Sequence, residues 1–261
     1  MKHKKKQENK FASISTHFLP IAGIAFVLLC WEIVVPIFSI PTWILPTPSI
    51  IVKRMISDQT LLLRNTFVTF LEASIGFSIA IVVSSLIALF LYLSKTLRHV
   101  FYPLLIGSQT IPVITVAPLF VLWFGYDLLP KIVIVTLMCF FPICLSFLSG
   151  LLQVDPAKVE LMKTFSANPI QILWHCSIPS ALPSFFSGLK IAATYCITAA
   201  VIGEWLGAKA GLGELMRRSM HSYSVDLTFA AIIIVSFLSI CLLWLIQYVE
   251  RKVLFWKEGS L

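Results

Sequence analysis

Six stretches of this chain are long and apolar enough to cross a bilayer, and nothing else in the sequence constrains the fold as strongly. A span needs roughly 20 apolar residues at about 1.5 Å each. The stretches run over about 18–38, 67–93, 100–124, 132–152, 184–206 and 227–248. The expected fold class is all-α, a polytopic membrane protein with six transmembrane helices forming one domain over 18–248. Composition agrees: 58% of residues are hydrophobic and 12% charged, where a soluble domain carries about a quarter charged residues. Too little polar surface remains to cover a globule in water, which excludes a soluble enzyme and a disordered chain. The first stretch does not read as a cleaved signal peptide. It is too long, Glu32 and Pro36 interrupt it, and no small-residue cleavage site follows.

The formal charge of +8 could suggest nucleic acid, but its placement argues otherwise. Lys2, Lys4, Lys5, Lys6 and Lys10 crowd the start, and most other basic residues lie at the ends of apolar runs. With the N-terminus inside, only Lys53, Arg54, Arg64, Lys131, Lys209, Arg217 and Arg218 fall outside; the other 13 of the 20 lie inside. Basic residues mark the cytoplasmic side, so residues 1–17 and 249–261 are expected in the cytoplasm. No nucleic-acid partner is expected. Cys30, Cys139, Cys144, Cys196 and Cys241 fall in apolar runs and Cys176 in a connection, with no CxxC pair. They read as small hydrophobes rather than disulfides or metal ligands.

Two connections are longer than packing requires. In 39–66, Thr47-Pro48 suits an N-cap followed by N1, and the helix it opens is expected to lie at the outer interface. In 153–183, Asp155-Pro156 and Asn168-Pro169 each open a short helix. Val159, Met162 and Phe165 share a face of the first; Ile170, Ile172, Leu173 and Trp174 follow in the second. Pro179 and Pro183 are expected to end it before the fifth span. Such a hairpin is either a docking surface for a partner or a piece packed on lipid headgroups.

Bond chemistry has no visible seat. There is no GxxxxGK[ST], HExxH or GxSxG, and the five histidines are scattered. The chain is therefore not expected to be an enzyme, and no cofactor or metal is expected. Ionisable residues within spans are few. Glu72 is expected at headgroup level, Lys190 to snorkel toward the cytoplasm, and Glu204 at the outer end of the fifth span; Glu32 has no obvious place. These form no proton relay. An ion-coupled secondary transporter would need midplane ion sites and internal repeats, and neither is evident. In the third span Pro112 and Pro118 remove backbone donors while Gln109 and Thr110 add polar groups. That pattern suits a pore-lining helix, or a kink that only improves packing. Gly203, Gly207, Gly211 and Gly213 read as a tight bend at the outer mouth, and with it Glu204 joins Gln109, Thr110, Pro112 and Pro118 as a pathway candidate.

The hairpin resembles the signature loop of binding-protein-dependent ABC importer permeases: E-A-A, three residues, Gly, nine residues, Ile, one residue, Leu-Pro. Glu160-Leu161-Met162 stands at the E-A-A positions, Ser166 at Gly, Cys176 at Ile, and Ile178-Pro179 at Leu-Pro. Gly there would permit a positive φ; with Ser in its place, Asn168 is the expected left-handed residue. The likeness extends through WILPTPSII, SQTIPVITVAPLFVLWFG and IPSALPSFFSGLKIAATYCITAAVIGEWLGAKAGLG to the nitrate/sulfonate/taurine-type permeases. Within these it is most similar to the branch importing pyrimidine precursors of thiamine, hydroxymethylpyrimidine or formylaminopyrimidine. The resemblance implies a type I ABC importer permease fold in a bacterial cell membrane. It implies a second permease copy, cytoplasmic ATPase subunits that seat residues 156–176, and an extracytoplasmic solute-binding protein. Val159, Glu160, Met162, Phe165, Ser166, Asn168 and Pro179 are the implied coupling residues. Aliphatic sulfonate, taurine or nitrate are the alternative solutes.

Overall fold

The computed structural model describes residues 22–255, and among these no strand occurs. The lysine-rich segment 1–17, the first residues of the first apolar run and residues 256–261 lie outside the described residues. The helices are α1 (Ala22–Ile37), α2 (Pro48–Ser57), α3 (Gln59–Leu93), α4 (Lys95–Ser108), α5 (Val113–Phe124) and α6 (Leu128–Leu152). They continue as α7 (Pro156–Thr164), α8 (Pro169–Ile172), a π turn (Leu173–Ser177), α9 (Ile178–Trp205), α10 (Leu212–His221) and α11 (Val225–Val253). Four pieces are long and apolar enough to cross a membrane: Gln59–Leu93, Leu128–Leu152, Pro169–Trp205 and Val225–Val253. At about 1.5 Å per residue, α3 is about 52 Å long, so it outreaches a hydrocarbon core of about 30 Å. α1 is apolar but shorter.

The third expected span is not one helix. α4 and α5 qualify only together and are bent by 98° at the break between them. The cause is local. Gln109, Thr110 and Ile111 donate to carbonyls only three residues back, at 3.2, 3.1 and 3.3 Å. Pro112 then has no N–H to carry the ladder on. Prolines at 103, 118 and 142 sit inside helices without breaking them.

The described residues form two compact units. One comprises the chain up to Gln59 together with Arg218–Ala230. In it Trp31 packs against Phe229 with centroids 5.6 Å apart. Thr47 caps α2 by accepting the Ile50 amide, as the Thr47-Pro48 pair predicts. Glu32 also finds its place here: its carboxylate accepts the Ser49 amide at 3.0 Å and the Ser49 hydroxyl at 2.6 Å. A negative group at a helix N-terminus answers unpaired amides and the helix dipole. Arg54 pairs with Asp58 at 2.8 Å and approaches Asp226 at 3.7 Å.

The other unit comprises Thr60–Arg217 and the chain from Ala231 onward. Its core is the packing of α3, α6 and α9, with Ala73, Phe77, Ala80, Ile134, Val135, Cys139, Ile143, Ala192, Cys196 and Ala200 buried together. Small residues set the helix spacing, as suits association within lipid, where close backbone approach replaces hydrophobic drive. A Cβ on Gly188 would stand 2.7 Å from the Pro142 carbonyl oxygen, and one on Gly150 would stand 2.7 Å from Ser184 Cβ.

Candidate coupling elbow and polar clusters

The segment after α6 folds as the two short helices that its caps predict. Asp155 accepts the Ala157 amide at 2.9 Å, opening α7. Asn168 opens α8 with a capping box: its side chain accepts the Gln171 amide and the Gln171 side chain accepts the Asn168 amide, both at 2.8 Å. Between them, the left-handed residue is Ser166 itself, at φ 56°, whereas Asn168 keeps φ −77°. This corrects the expectation that Asn168 would take that role. The N-cap geometry occupies Asn168 in an extended conformation, so the reversal falls two residues earlier. There Ser166 donates to Lys163 O at 2.8 Å and Ala167 to Met162 O at 3.1 Å, the paired closure of a Schellman motif.

Pro179 and Pro183 do not end the second helix. α8 continues through the π turn into α9, with Pro179 in its first turn and Pro183 inside it. The Ile178 amide donates to Leu173 O, five residues back. That wider turn carries the ladder up to a proline that has no donor of its own. Tyr92 at the end of α3 ties its hydroxyl to Ser177 at 3.0 Å, so the elbow is braced on a span.

Exposure around the elbow differs from the simple one-face expectation. Val159 and Met162 are half-buried, while Glu160, Ser166, Asn168 and Phe165 are exposed. Phe165 is 76% exposed, and Leu161, Ile170 and Trp174 stand outward with it.

At the other end of α3 and α9 lies a buried polar cluster. Glu72, expected at headgroup level, is buried within the bundle and pairs with Lys131 at 2.6 Å, both side chains being under 10% exposed. Glu204 is fully buried. It accepts the Thr69 hydroxyl at 2.6 Å and the Gly213 amide. Thr69 also accepts the Leu212 amide, and Asn65 accepts the Gly211 amide, each at 2.8 Å. The cluster thereby pins the 206–213 bend. Gly211 there has φ 121°, and a Cβ on it would fall inside the Glu204 carboxylate. Glu204 thus anchors the bend, with its carboxylate engaged inside the fold. Gln109, Thr110, Pro112 and Pro118 are exposed around the α4–α5 break, and Thr110 returns its hydroxyl to Gly107 O at 2.7 Å. The structure does not bring these four together with Glu204 by any hydrogen bond among the described residues. Lys190 does not simply snorkel: it pairs with Glu250 of α11 at 2.9 Å.

Sequence reasoning missed the partners Lys131 and Glu250. Both were visible as charges beside apolar runs, and the requirement that an intramembrane charge find its opposite was the signal available.

Comparison with known proteins adds the following. Residues 80–255 match the family described as "Binding-protein-dependent transport system inner membrane component". The chain is 37% identical over 240 residues to the formylaminopyrimidine transport permease protein of Halalkalibacterium halodurans, covering 92% of this chain and 96% of that one. It is 36% identical over 233 residues to a probable ABC transporter permease protein of Haemophilus influenzae, covering 89% and 95%. The fold is similar to that of a chain of the MetNI methionine ABC transporter, solved in inward-facing conformations, with a TM-score of 0.66 and 18% identity over 75% of this chain and 97% of that one.

Proposed function

Given that the chain belongs to the family of binding-protein-dependent transport system inner membrane components, we propose that it carries a pyrimidine precursor of thiamine across the membrane. As a member of that family it is an integral membrane protein and the permease subunit of an ABC importer, with the fold of a type I importer permease. ATP hydrolysis belongs to partner subunits, and a solute-binding protein delivers the cargo.

The observation that carries the mechanism is the elbow from Asp155 to Ser177. It is a capped, hydrogen-bonded reversal that shows Leu161, Phe165, Ile170 and Trp174 to its surroundings and is braced on α3. In this reading the elbow lies in the cytoplasm, and so do both termini. Each of two permease copies offers it to an ATPase subunit. Phe165 seats as the apolar anchor, with Glu160 as a carboxylate for a basic groove residue, and Val159 and Met162 fix the helix from behind. Ser166 and Asn168 hold the reversal rigid, while Pro179 and the π turn pass its displacement into α9. The α4–α5 break, with Gln109, Thr110, Pro112 and Pro118, lines the solute path.

The choice of solute is supported by the 37% identity to a formylaminopyrimidine permease over nearly the whole of both chains. The test is ATP hydrolysis by the reconstituted complex with its binding protein loaded in turn with hydroxymethylpyrimidine, formylaminopyrimidine, taurine and an alkanesulfonate. Stimulation by the pyrimidines alone is expected. Stimulation by a sulfonate or taurine alone would reject the pyrimidine assignment.

A further inference from the structure

Four serines of α6 and α9 face one groove without returning their hydroxyls to the preceding turn of helix. Ser146 and Ser149 of α6, Ser184 and Ser187 of α9, Leu145 and the Tyr102 ring of α4 line one groove of about 380 Å³. Elsewhere on the spans, Ser78, Ser85, Ser236 and Ser239 return their hydroxyls to the carbonyl one turn back, at 2.8, 2.6, 2.9 and 2.9 Å. That is the ordinary way to hide such a group in an apolar setting. Ser146, Ser184 and Ser187 make no such bond among the described residues, and Ser149 only accepts from Gln153 at 2.9 Å. The hydroxyls are left to face the groove.

The helix packing is arranged around them. Gly188 of α9 stands opposite Ser146, where a Cβ would come 2.8 Å from Ser146 Cβ, and Gly150 of α6 stands opposite Ser184. Each glycine gives its space to a serine of the facing helix. The groove opens at the elbow end of the bundle. Ser146 and Ser149 lie within about 9 Å of the end of α6, and Ser184 and Ser187 within about 14 Å of the start of α9, at about 1.5 Å per residue.

We propose that this groove is a solute-contact surface on the elbow-side half of the path, and that it passes an uncharged, hydrogen-bonding solute. Ser149 and Ser187 are exposed and Ser146 and Ser184 half-buried, so their hydroxyls are open to water or to a polar solute. Hydroxyls both donate and accept, which suits ring nitrogens and amino groups. Among the described residues no charged side chain lines the groove itself, so its lining offers a sulfonate or nitrate hydroxyls but no cation. The inference rests on the importer reading and deepens it by assigning a contact surface for the solute.

The test uses the full complex in proteoliposomes. Changing Ser146, Ser184 and Ser187 together to Ala is expected to lower uptake of the pyrimidine at least tenfold, while copurification with the ATPase reports that the complex still assembles. A separate Ser187→Cys variant is expected to react with a membrane-impermeant thiol reagent added from the elbow side, and solute is expected to slow that reaction. Unchanged uptake by the triple variant overturns the proposal. So does labelling of Ser187→Cys only by lipid-soluble reagents, or its spontaneous disulfide with a second copy in place of labelling, which would make the groove a helix contact. A wild-type chain that binds no ATPase would instead reject the importer reading, a distinguishable failure.

Discussion

The Thr69 hydroxyl donates to the Glu204 carboxylate at 2.6 Å across 135 positions of sequence, and the same oxygen accepts the Leu212 amide at 2.8 Å. Two spans and the bend that follows one of them therefore share a single hydroxyl. Glu204→Leu strips acceptors from Thr69 and Gly213, and each orphaned donor costs about 1–3 kcal/mol. The expected outcome is a clear fall in the thermal midpoint of the detergent-solubilised chain, with Glu204→Gln falling less because it still accepts. Equal loss in both would show that shape, not hydrogen bonding, matters there.

Glu72 and Lys131 make the second long-range prediction. Both are buried, so removing one partner leaves an uncompensated charge, at about 3–5 kcal/mol, whereas replacing both by apolar groups costs far less. Lys131→Met should therefore destabilise the chain strongly, and Glu72→Leu added to it should recover much of the loss. A double-mutant cycle on unfolding midpoints measures this, and a double variant as poor as the single contradicts the pairing.

Ser166 at φ 56° is a non-glycine residue in the left-handed region, a conformation that costs an L-residue on the order of 1–2 kcal/mol. Ser166→Gly relieves that strain at some cost in unfolded-chain entropy. The expected result is an elbow at least as stable, with undiminished capture of the ATPase. Ser166→Val, β-branched and unable to hold the turn, should weaken capture. The two variants compared in one pull-down give the sign.

Gly188→Ala would place a methyl carbon 2.7 Å from the Pro142 carbonyl oxygen. Backbone cannot yield as a side-chain tip does, so α6 and α9 must separate. Overpacking of this sort costs about 1–3 kcal/mol. A lowered thermal midpoint is expected, and a neutral outcome would mean that the two helices are not held this close.

What the sequence made legible was local. Thr47, Asp155 and Asn168 each announce a helix start because a cap acts within three residues, and the structure places all three as caps. The apolar runs announce the long spans for the same reason, since hydropathy needs no partner. The α4–α5 bend was half legible: Pro112 signals interruption, but a 98° turn depends on consecutive short-range bonds before it. The tertiary pairs were not legible. Hydropathy tells which residues sit in lipid, not which charge meets which, so the Glu72–Lys131 and Lys190–Glu250 pairs were not foreseen. The serine groove escaped for a related cause. Serine in a span is ordinary, and what sets these apart from Ser78 or Ser236 is the missing back-bonds of Ser146, Ser184 and Ser187 and the glycines opposite Ser146 and Ser184.

The central claim is that a separate ATPase grips the elbow between α6 and α9, and capture of that ATPase by tagged permease tests it most directly. Wild-type chain should bring the ATPase down. Phe165→Asp and Glu160→Arg should release it while the thermal midpoint of the bundle stays unchanged. Retention of the ATPase by both variants, with elbow cysteines labelled from outside intact cells, would contradict the account.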